Sequence, residues 1–318
     1  MLETGRGAEP ALVFVYGALR SGTTLVRLML DAHPQVSNPG ETDFLFDYLF
    51  RDENHPTGWR YDFAAMTADR IFQNHALSIP DDYDGLDLLQ HFLARLANRK
   101  PGVLTLNIHR NADRIVDIFP DTRIIHVLRD PRDVARSSIG MGWAGTLYHG
   151  VGHWMKTETA WDAVAGRLHP ERVFDLRYES LFSDVEGTLR DLSSFLGVPY
   201  DPNMLNYHKK STYAPPDISL VEQWRRKSPQ RDITQMESRA RSLMTARGYT
   251  PSTPQTRLSI FEKGWLSLKN KAYRWRFGIR RFGLVLYVTE KLTRWLRLSI
   301  PHRRVVRRMN AMVRDILK

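Results

Sequence analysis

The sequence contains no cysteine. That excludes a disulfide framework, a thiolate metal site and a cysteine nucleophile. It also lacks a long apolar run. The longest, FGLVLYV at 282–288, falls far short of the roughly 18 residues that span a bilayer. The opening stretch MLETGRGAEPALVFVYG shows no basic region followed by an apolar core of about 7–15 residues, so no secretory leader is expected. No G-x-S-x-G elbow is present. The eleven histidines are scattered without the spacing of a metal centre, and no metal is expected. Internal repeats and low-complexity segments are likewise missing. Together these absences favour a cytoplasmic setting.

What is present supports a folded chain. At 318 residues with 42% hydrophobic composition, it can bury a sizeable core. Its net charge of +11 is unevenly spread. Residues 255–318 hold 17 Lys and Arg against 3 Asp and Glu, so the tail alone carries +14 and the body before it −3. A near-neutral body with a basic tail calls for an anionic partner at the tail.

Strands are expected at ALVFVYG (11–17), GVLTLNI (102–108), RIIHVL (123–128) and RVFDLRY (172–178). Helical apolar spacing follows the first of these in TTLVRLMLDAH and recurs over 84–99 and 184–197. Asp184 and Gly197 are suited to cap the last of these helices, and Pro131 to open another. Strands alternating with helices predict an α/β fold, P-loop-like and three-layered, with a mostly parallel central sheet. The YTPSTPQT stretch at 249–256 reads as a linker. The expected layout is an N-terminal arm over 1–10, a domain over 11–250 and a helical basic extension over 251–318.

The stretch VYGALRSGTTLVRLML at 15–30 places a turn with two glycines between strand and helix, which offers backbone N–H groups and a helix N-terminus to an anion. Here too something is absent. The lysine that nucleotide triphosphate loops carry after the second glycine is replaced by Thr23. Arg20 supplies a planar charged fork instead, and Ser21, Thr23 and Thr24 supply hydroxyls. Such a loop can hold a phosphate or a sulfate ester; a turn without a ligand is the plainer alternative. A second constellation, RIIHVLRDPRDVARSSI, puts Arg129 at the C-terminal end of a strand and Ser137 two helical turns further on. They can grip a second phosphate, or Arg129, Asp130, Arg132 and Asp133 can simply pair and cap.

Taken together, GALRSGTTLVRLML and RIIHVLRDPRDVARSS resemble the 5′-phosphosulfate loop and the 3′-phosphate motif of sulfotransferases that use 3′-phosphoadenosine 5′-phosphosulfate (PAPS), in their bacterial and tyrosylprotein-type branch. The segments 176–199 and 221–249 resemble two further family segments, so the resemblance covers roughly residues 11–250. It implies an enzyme with PAPS as donor. It also implies contacts from Arg20, Ser21, Gly22, Thr23 and Thr24 to the 5′ end, from Arg129 and Ser137 to the 3′-phosphate, and from Tyr178 to the nucleotide. Arg225, Arg226 and Lys227 are further 3′-phosphate candidates, against a solvated basic helix face. In SNPGETDFLFDYL, Glu41 matches the family's Gly-Glu-Thr glutamate, the implied base. To act near neutral pH it needs partial burial; a helix N-terminal role is the alternative. His126 and His33 read as packing or capping residues. Where relatives carry a lysine, residues 102–110 have none, and Asn107, His109 or Arg110 stand as replacements, unless Arg20 serves alone.

The implied reaction passes a sulfuryl group to a hydroxyl acceptor. Its walls are expected at 51–83 and 138–160. In the tail, Trp265, Trp275, Trp295, Phe277, Phe282 and Tyr287 alternate with cations, the composition of helices lying on an anionic membrane surface. A membrane partner through 257–318 would place the protein at the inner face of a membrane and favour a lipid or lipid-linked acceptor. Packing of the tail on its own domain, or binding of a partner protein, comes next, and nucleic acid last. Two other functional classes compete: a P-loop kinase or nucleotide hydrolase, and a membrane-associated nucleotide-binding protein with a degenerate site.

Overall fold

The run Val13–Tyr16 is wholly buried because both of its faces are covered. Val13 and Val15 join one apolar cluster, Phe14 and Tyr16 the other. Burying each such side chain contributes about 1.5–3 kcal/mol, so this strand holds the two layers together. In the computed structural model, which describes residues 11–316, it forms β1 (Ala11–Gly17). The N-terminal arm expected over 1–10 lies outside the described residues.

β1 is followed by β2 (Val36–Ser37), then β3 (Leu49–Arg51) and β4 (Trp59–Tyr61), a small antiparallel hairpin. β5 (Val103–Ile108), β6 (Arg123–Leu128) and β7 (Val173–Arg177) complete the main sheet, whose order is β2-β5-β1-β6-β7. Every pairing in that sheet is parallel. Parallel neighbours require crossovers, and helices cover both faces. Helices Gly85–Ala97, Ala112–Ile118 and Gly152–Ala165 pack on one face. Helices Thr23–Ala32 and Val185–Leu196 pack on the other. The fold is α/β with three layers. The chain runs from β1 to one side of it, through β2 and β5, and then to the other, through β6 and β7. That reversal opens a crevice at the C-terminal end of β1, where α/β sheets bind ligands.

Local capping agrees with the sequence. Asp184 accepts from Gly187 N, Gly197 ends its helix at φ 74°, and Pro131 opens the helix Pro131–Gly140. His126 is buried between Asp175 and Glu158 and stacks on Trp161. His33 closes the first helix, its Nε2 2.8 Å from Pro199 O.

Residues 250–258 form no helix or strand. They are nonetheless fixed. Ser252 and Thr253 donate backbone and hydroxyl hydrogens to the buried Glu237 carboxylate, which also takes Arg132 Nη1 at 3.0 Å. Beyond them lie three helices, Ile260–Phe282, Leu284–Trp295 and Ser299–Ile316. Among the described residues no helix is long and apolar enough to cross a membrane. The first of the three docks on the segment after Ser137. Gly145 N donates to Asn270 Oδ1 at 2.7 Å, and Tyr273 OH donates to Ile139 O at 3.1 Å. The Phe277 ring packs against Gly142, where a Cβ would fall 2.2 Å from it. Two expected membrane anchors, Phe277 and Tyr287, are therefore spent inside the protein. Tyr287 is buried against Gly278. Phe261 and Trp295 remain 90% and 77% exposed, with Ile260, Trp265 and Val285 also outside.

Candidate active site

The loop after β1 is built around two left-handed residues, Arg20 at φ 74° and Gly22 at φ 93°. A non-glycine residue in that region carries strain, which the surrounding contacts must hold. Gly22 is required for a second reason: a Cβ there would fall 2.0 Å from the Tyr178 ring. Gly22 is also the N-cap of helix Thr23–Ala32 and offers no side chain, so no side-chain cap occupies that helix end. An anion meets the positive end of the helix dipole directly. Ser21 Oγ is fully buried without a hydrogen-bond partner, an unfilled polar position within the loop.

Tertiary structure brings the two sequence constellations into contact. Arg20 Nε donates to Ser137 Oγ at 2.9 Å, across 117 residues. Arg129 Nη1 donates to Arg20 O at 3.1 Å, and its guanidinium lies 4.0 Å above the Tyr178 ring centre. Arg129 Nε is buried and unpartnered, and Asp133 stands off at 4.0 Å. Arg20, Ser21, Gly22, Thr23, Arg129, Ser137 and Tyr178 thus form one cluster, with half-buried Thr24 beside Thr23 on the first helical turn. The pairing alternative holds for the other arginine of the motif. Arg132 is buried, bound to both Asp130 oxygens and to Glu237, and stacked 3.7 Å from the Trp224 ring centre. Arg132 is thus saturated by carboxylates, whereas Arg129 bonds main-chain carbonyls and keeps Nε without a partner.

Arg226 and Lys227 are exposed on the short helix Gln223–Lys227. Arg226 donates to Ser219 O and Val221 O, and Lys227 reaches Gln223 Oε1 at 3.5 Å. Leu220 O, between those two carbonyls, accepts from Arg129 Nη2 at 3.1 Å. Arg226 therefore braces a segment that holds Arg129, while the Lys227 side chain meets Gln223 on its own helix. Arg225 pairs with Glu222 at 2.9 Å.

Glu41 sits at the end of the sheet in an isolated parallel bridge with Asn107, and its carbonyl is 2.9 Å from His75 Nε2. Its side chain is exposed, so the partial burial expected of a base is not supplied by the protein itself.

The segment without the family lysine shows what stands there. Asn107 Nδ2 donates to Thr23 O at 3.1 Å, tying β5 to the loop helix. His109 lies under the loop with Nε2 3.1 Å from Thr23 Oγ1 and Nδ1 2.7 Å from Asp43 Oδ2. Its backbone N–H donates to Asp43 Oδ1 at 2.8 Å. Burial works against charge on both partners. Burial pushes His109 down, but the Asp43 carboxylate outweighs it and holds the imidazole above its ordinary range. Burial likewise pushes Asp43 up, and His109 with Arg110 draws it below its ordinary range. When His109 is protonated, the two form a buried ion pair. Arg110 is instead exposed and committed to Asp47, its Nε 2.6 Å from Oδ1. Asp43 was not singled out from sequence. The only available signal was its place two residues after Glu41.

A family model described as "Sulfotransferase family" matches residues 10–202. The chain belongs to this family. Among curated relatives, the chain is 26% identical over 208 residues to a putative protein-tyrosine sulfotransferase of Caenorhabditis briggsae, covering 62% of this chain and 69% of that protein. It is 31% identical over 97 residues to omega-hydroxy-beta-dihydromenaquinone-9 sulfotransferase of Mycobacterium tuberculosis, covering 26% of this chain and 25% of that protein. The chain spans between 25% and 69% of the length of such relatives. Among solved structures, the sulfotransferase domain from the curacin biosynthetic pathway shares the fold, with a TM-score of 0.57 at 19% identity over 76% of this chain and 98% of that one.

Proposed function

We propose that this sulfotransferase-family chain moves a sulfuryl group from PAPS to a hydroxyl acceptor. The observation that carries the reading is the convergence of Arg20, Ser137 and Arg129 on the uncapped helix N-terminus. It provides two adjoining anion sites without the loop lysine that a terminal triphosphate would want. The unpartnered Ser21 Oγ and Arg129 Nε are donors awaiting an acceptor. In the proposed reaction the acceptor oxygen forms a bond to sulfur as the bond from sulfur to the 5′-phosphate oxygen breaks. The acceptor's proton passes to the Glu41 carboxylate, and 3′-phosphoadenosine 5′-phosphate leaves. Arg20 and the loop N–H groups stabilise the charge that develops on the leaving phosphate. Arg129 and Ser137 hold the 3′-phosphate, with Tyr178 beside the nucleotide.

Calorimetric titration with 3′-phosphoadenosine 5′-phosphate is expected to show binding that ATP does not match. Arg129→Ala is expected to weaken it by roughly 10- to 100-fold, the worth of a charge-assisted contact of about 1.5–3 kcal/mol. Equal binding of ATP, or an unchanged mutant, would overturn the reading.

We also propose that the extension works at an anionic membrane surface, with a lipid or lipid-linked alcohol as acceptor. Exposed Ile260, Phe261, Trp265, Val285 and Trp295 supply apolar contact beside the +14 tail. The protein is expected to sediment with vesicles containing anionic lipid at low salt, and to be released as salt rises. Equal sedimentation with neutral vesicles, or none with either, would refute it.

A further inference from the structure

A cavity of about 430 Å³ lies where the C-terminal helices meet the catalytic domain. One wall is Arg70, on helix Arg70–His75; another is Trp143, just past the helix that carries Ser137; the roof is Phe277, Arg281 and Phe282. A second cavity of about 700 Å³ shares Arg70, Val306 and Asn310 with it, so the two adjoin.

Three arginines line the first cavity: Arg70, Arg274 and Arg281. None of the three forms an ion pair with a carboxylate among the described residues. Arg281 Nε is buried without a hydrogen-bond partner, while its guanidinium lies against the rings of Phe277 and Phe282. The one carboxylate in the wall, Glu290, is already held by Lys291 at 2.8 Å and Arg294 at 3.4 Å. The space is therefore positive, with aromatic and aliphatic walls. Unpaired guanidinium groups at a partly enclosed site want a multidentate oxyanion. Trp143, Phe277, Phe282 and Met309 want hydrocarbon.

Its placement ties it to the reaction. Arg70 is five residues from His75, about 7.5 Å along the helix axis, and His75 Nε2 is 2.9 Å from Glu41 O. On the other wall, Trp143 meets His153 edge-on at 5.9 Å, and His153 Nε2 is 2.9 Å from Leu19 O in the phosphate loop. Each wall is thus joined through one histidine to a candidate site element, Arg70's helix through His75 to the Glu41 backbone and Trp143 through His153 to the loop backbone at Leu19.

We infer that this cavity is the outer subsite for the acceptor, and that the acceptor is a lipid alcohol bearing a phosphate group. Arg70, Arg274 and Arg281 bind the phosphate, and the aromatic wall takes the start of the chain. The assignment as an acceptor subsite rests on the sulfotransferase reading; the assignment as an anionic amphiphile site does not.

The test is calorimetric titration of the full chain with dodecyl phosphate below its micelle concentration, beside dodecyl maltoside and inorganic phosphate. Dodecyl phosphate is expected to bind at least tenfold more tightly than either control. Arg70→Gln and Arg281→Gln are each expected to weaken it about tenfold, and Arg70→Lys by less. Binding of 3′-phosphoadenosine 5′-phosphate should be unchanged in all three variants, which also reports that they are folded. Equal binding of the maltoside, inorganic phosphate binding as tightly as the amphiphile, or unaltered dodecyl phosphate binding in the glutamine variants would each overturn the site. If dodecyl phosphate binds as expected but the wild-type protein does not bind 3′-phosphoadenosine 5′-phosphate, the anionic site stands and its role as an acceptor subsite falls.

Discussion

Glu41→Gln is expected to lower turnover by about 10²–10⁴-fold, the usual worth of a positioned general base, while leaving affinity for 3′-phosphoadenosine 5′-phosphate within about twofold. Glutamine keeps the shape of the side chain and removes its ability to take a proton. The backbone bridge to Asn107 and the contact with His75 are made by main-chain atoms of residue 41, so they survive the change. The side chain is exposed and props nothing up, so stability should be unaltered. Donor affinity separates the two roles on offer: a base affects turnover alone, whereas a residue that shapes the loop would disturb nucleotide binding too. A variant with full turnover would move the search for the base elsewhere.

The second large effect concerns stability. Asp43→Ala leaves His109 buried without its counter-ion, and breaking a buried pair in this way costs about 3–5 kcal/mol. Chemical denaturation at pH 5.5 measures it. The pH dependence has a definite sign. His109 is raised in the folded protein from an ordinary 6.5, so its contribution is complete below that value and is lost as pH rises through the raised one. Asp43 is lowered from an ordinary 3.8, so its contribution is complete above that value and is lost as pH falls through the lowered one. The pair therefore stabilises most between those two ordinary values. Charge on His109 also sets the hydrogen-bond direction at Thr23. Protonated, Nε2 donates to Thr23 Oγ1, and the threonine hydroxyl hydrogen is free for a phosphate. Neutral with its proton on Nδ1 toward Asp43, Nε2 accepts instead, and Thr23 turns its hydrogen away. Nucleotide affinity should fall as pH rises through the His109 transition, and Thr23→Val should flatten that dependence. A wild-type affinity that does not vary with pH across neutrality would refute the coupling.

These two residues show how unevenly the site was legible. Glu41 follows a Pro-Gly turn in a recognisable local pattern, and its backbone bridges to Asn107 at the sheet's end. Asp43 and His109 lie 66 residues apart, and neither has a motif of its own. His109 reads as an isolated histidine until β5 and the loop after β2 are placed side by side. The tail shows the same division. Its aromatic and basic composition was plain, but which rings face outward depended on a docking partner, Gly142, whose lack of a side chain admits Phe277.

The sequence by itself determined the parallel α/β plan. Buried strands, glycine-rich turns and caps act within a few residues, so their signals are local and survive without the fold. It also determined that the loop offers backbone N–H groups at a helix start, because a turn entering a helix presents them whatever surrounds it. Only the tertiary structure decided that Arg20 meets Ser137, that Arg129 rather than Arg132 contacts the loop, and that His109 stands beside Thr23. Those contacts join elements distant in the chain, and their geometry follows from the order of strands in the sheet, which no local pattern encodes.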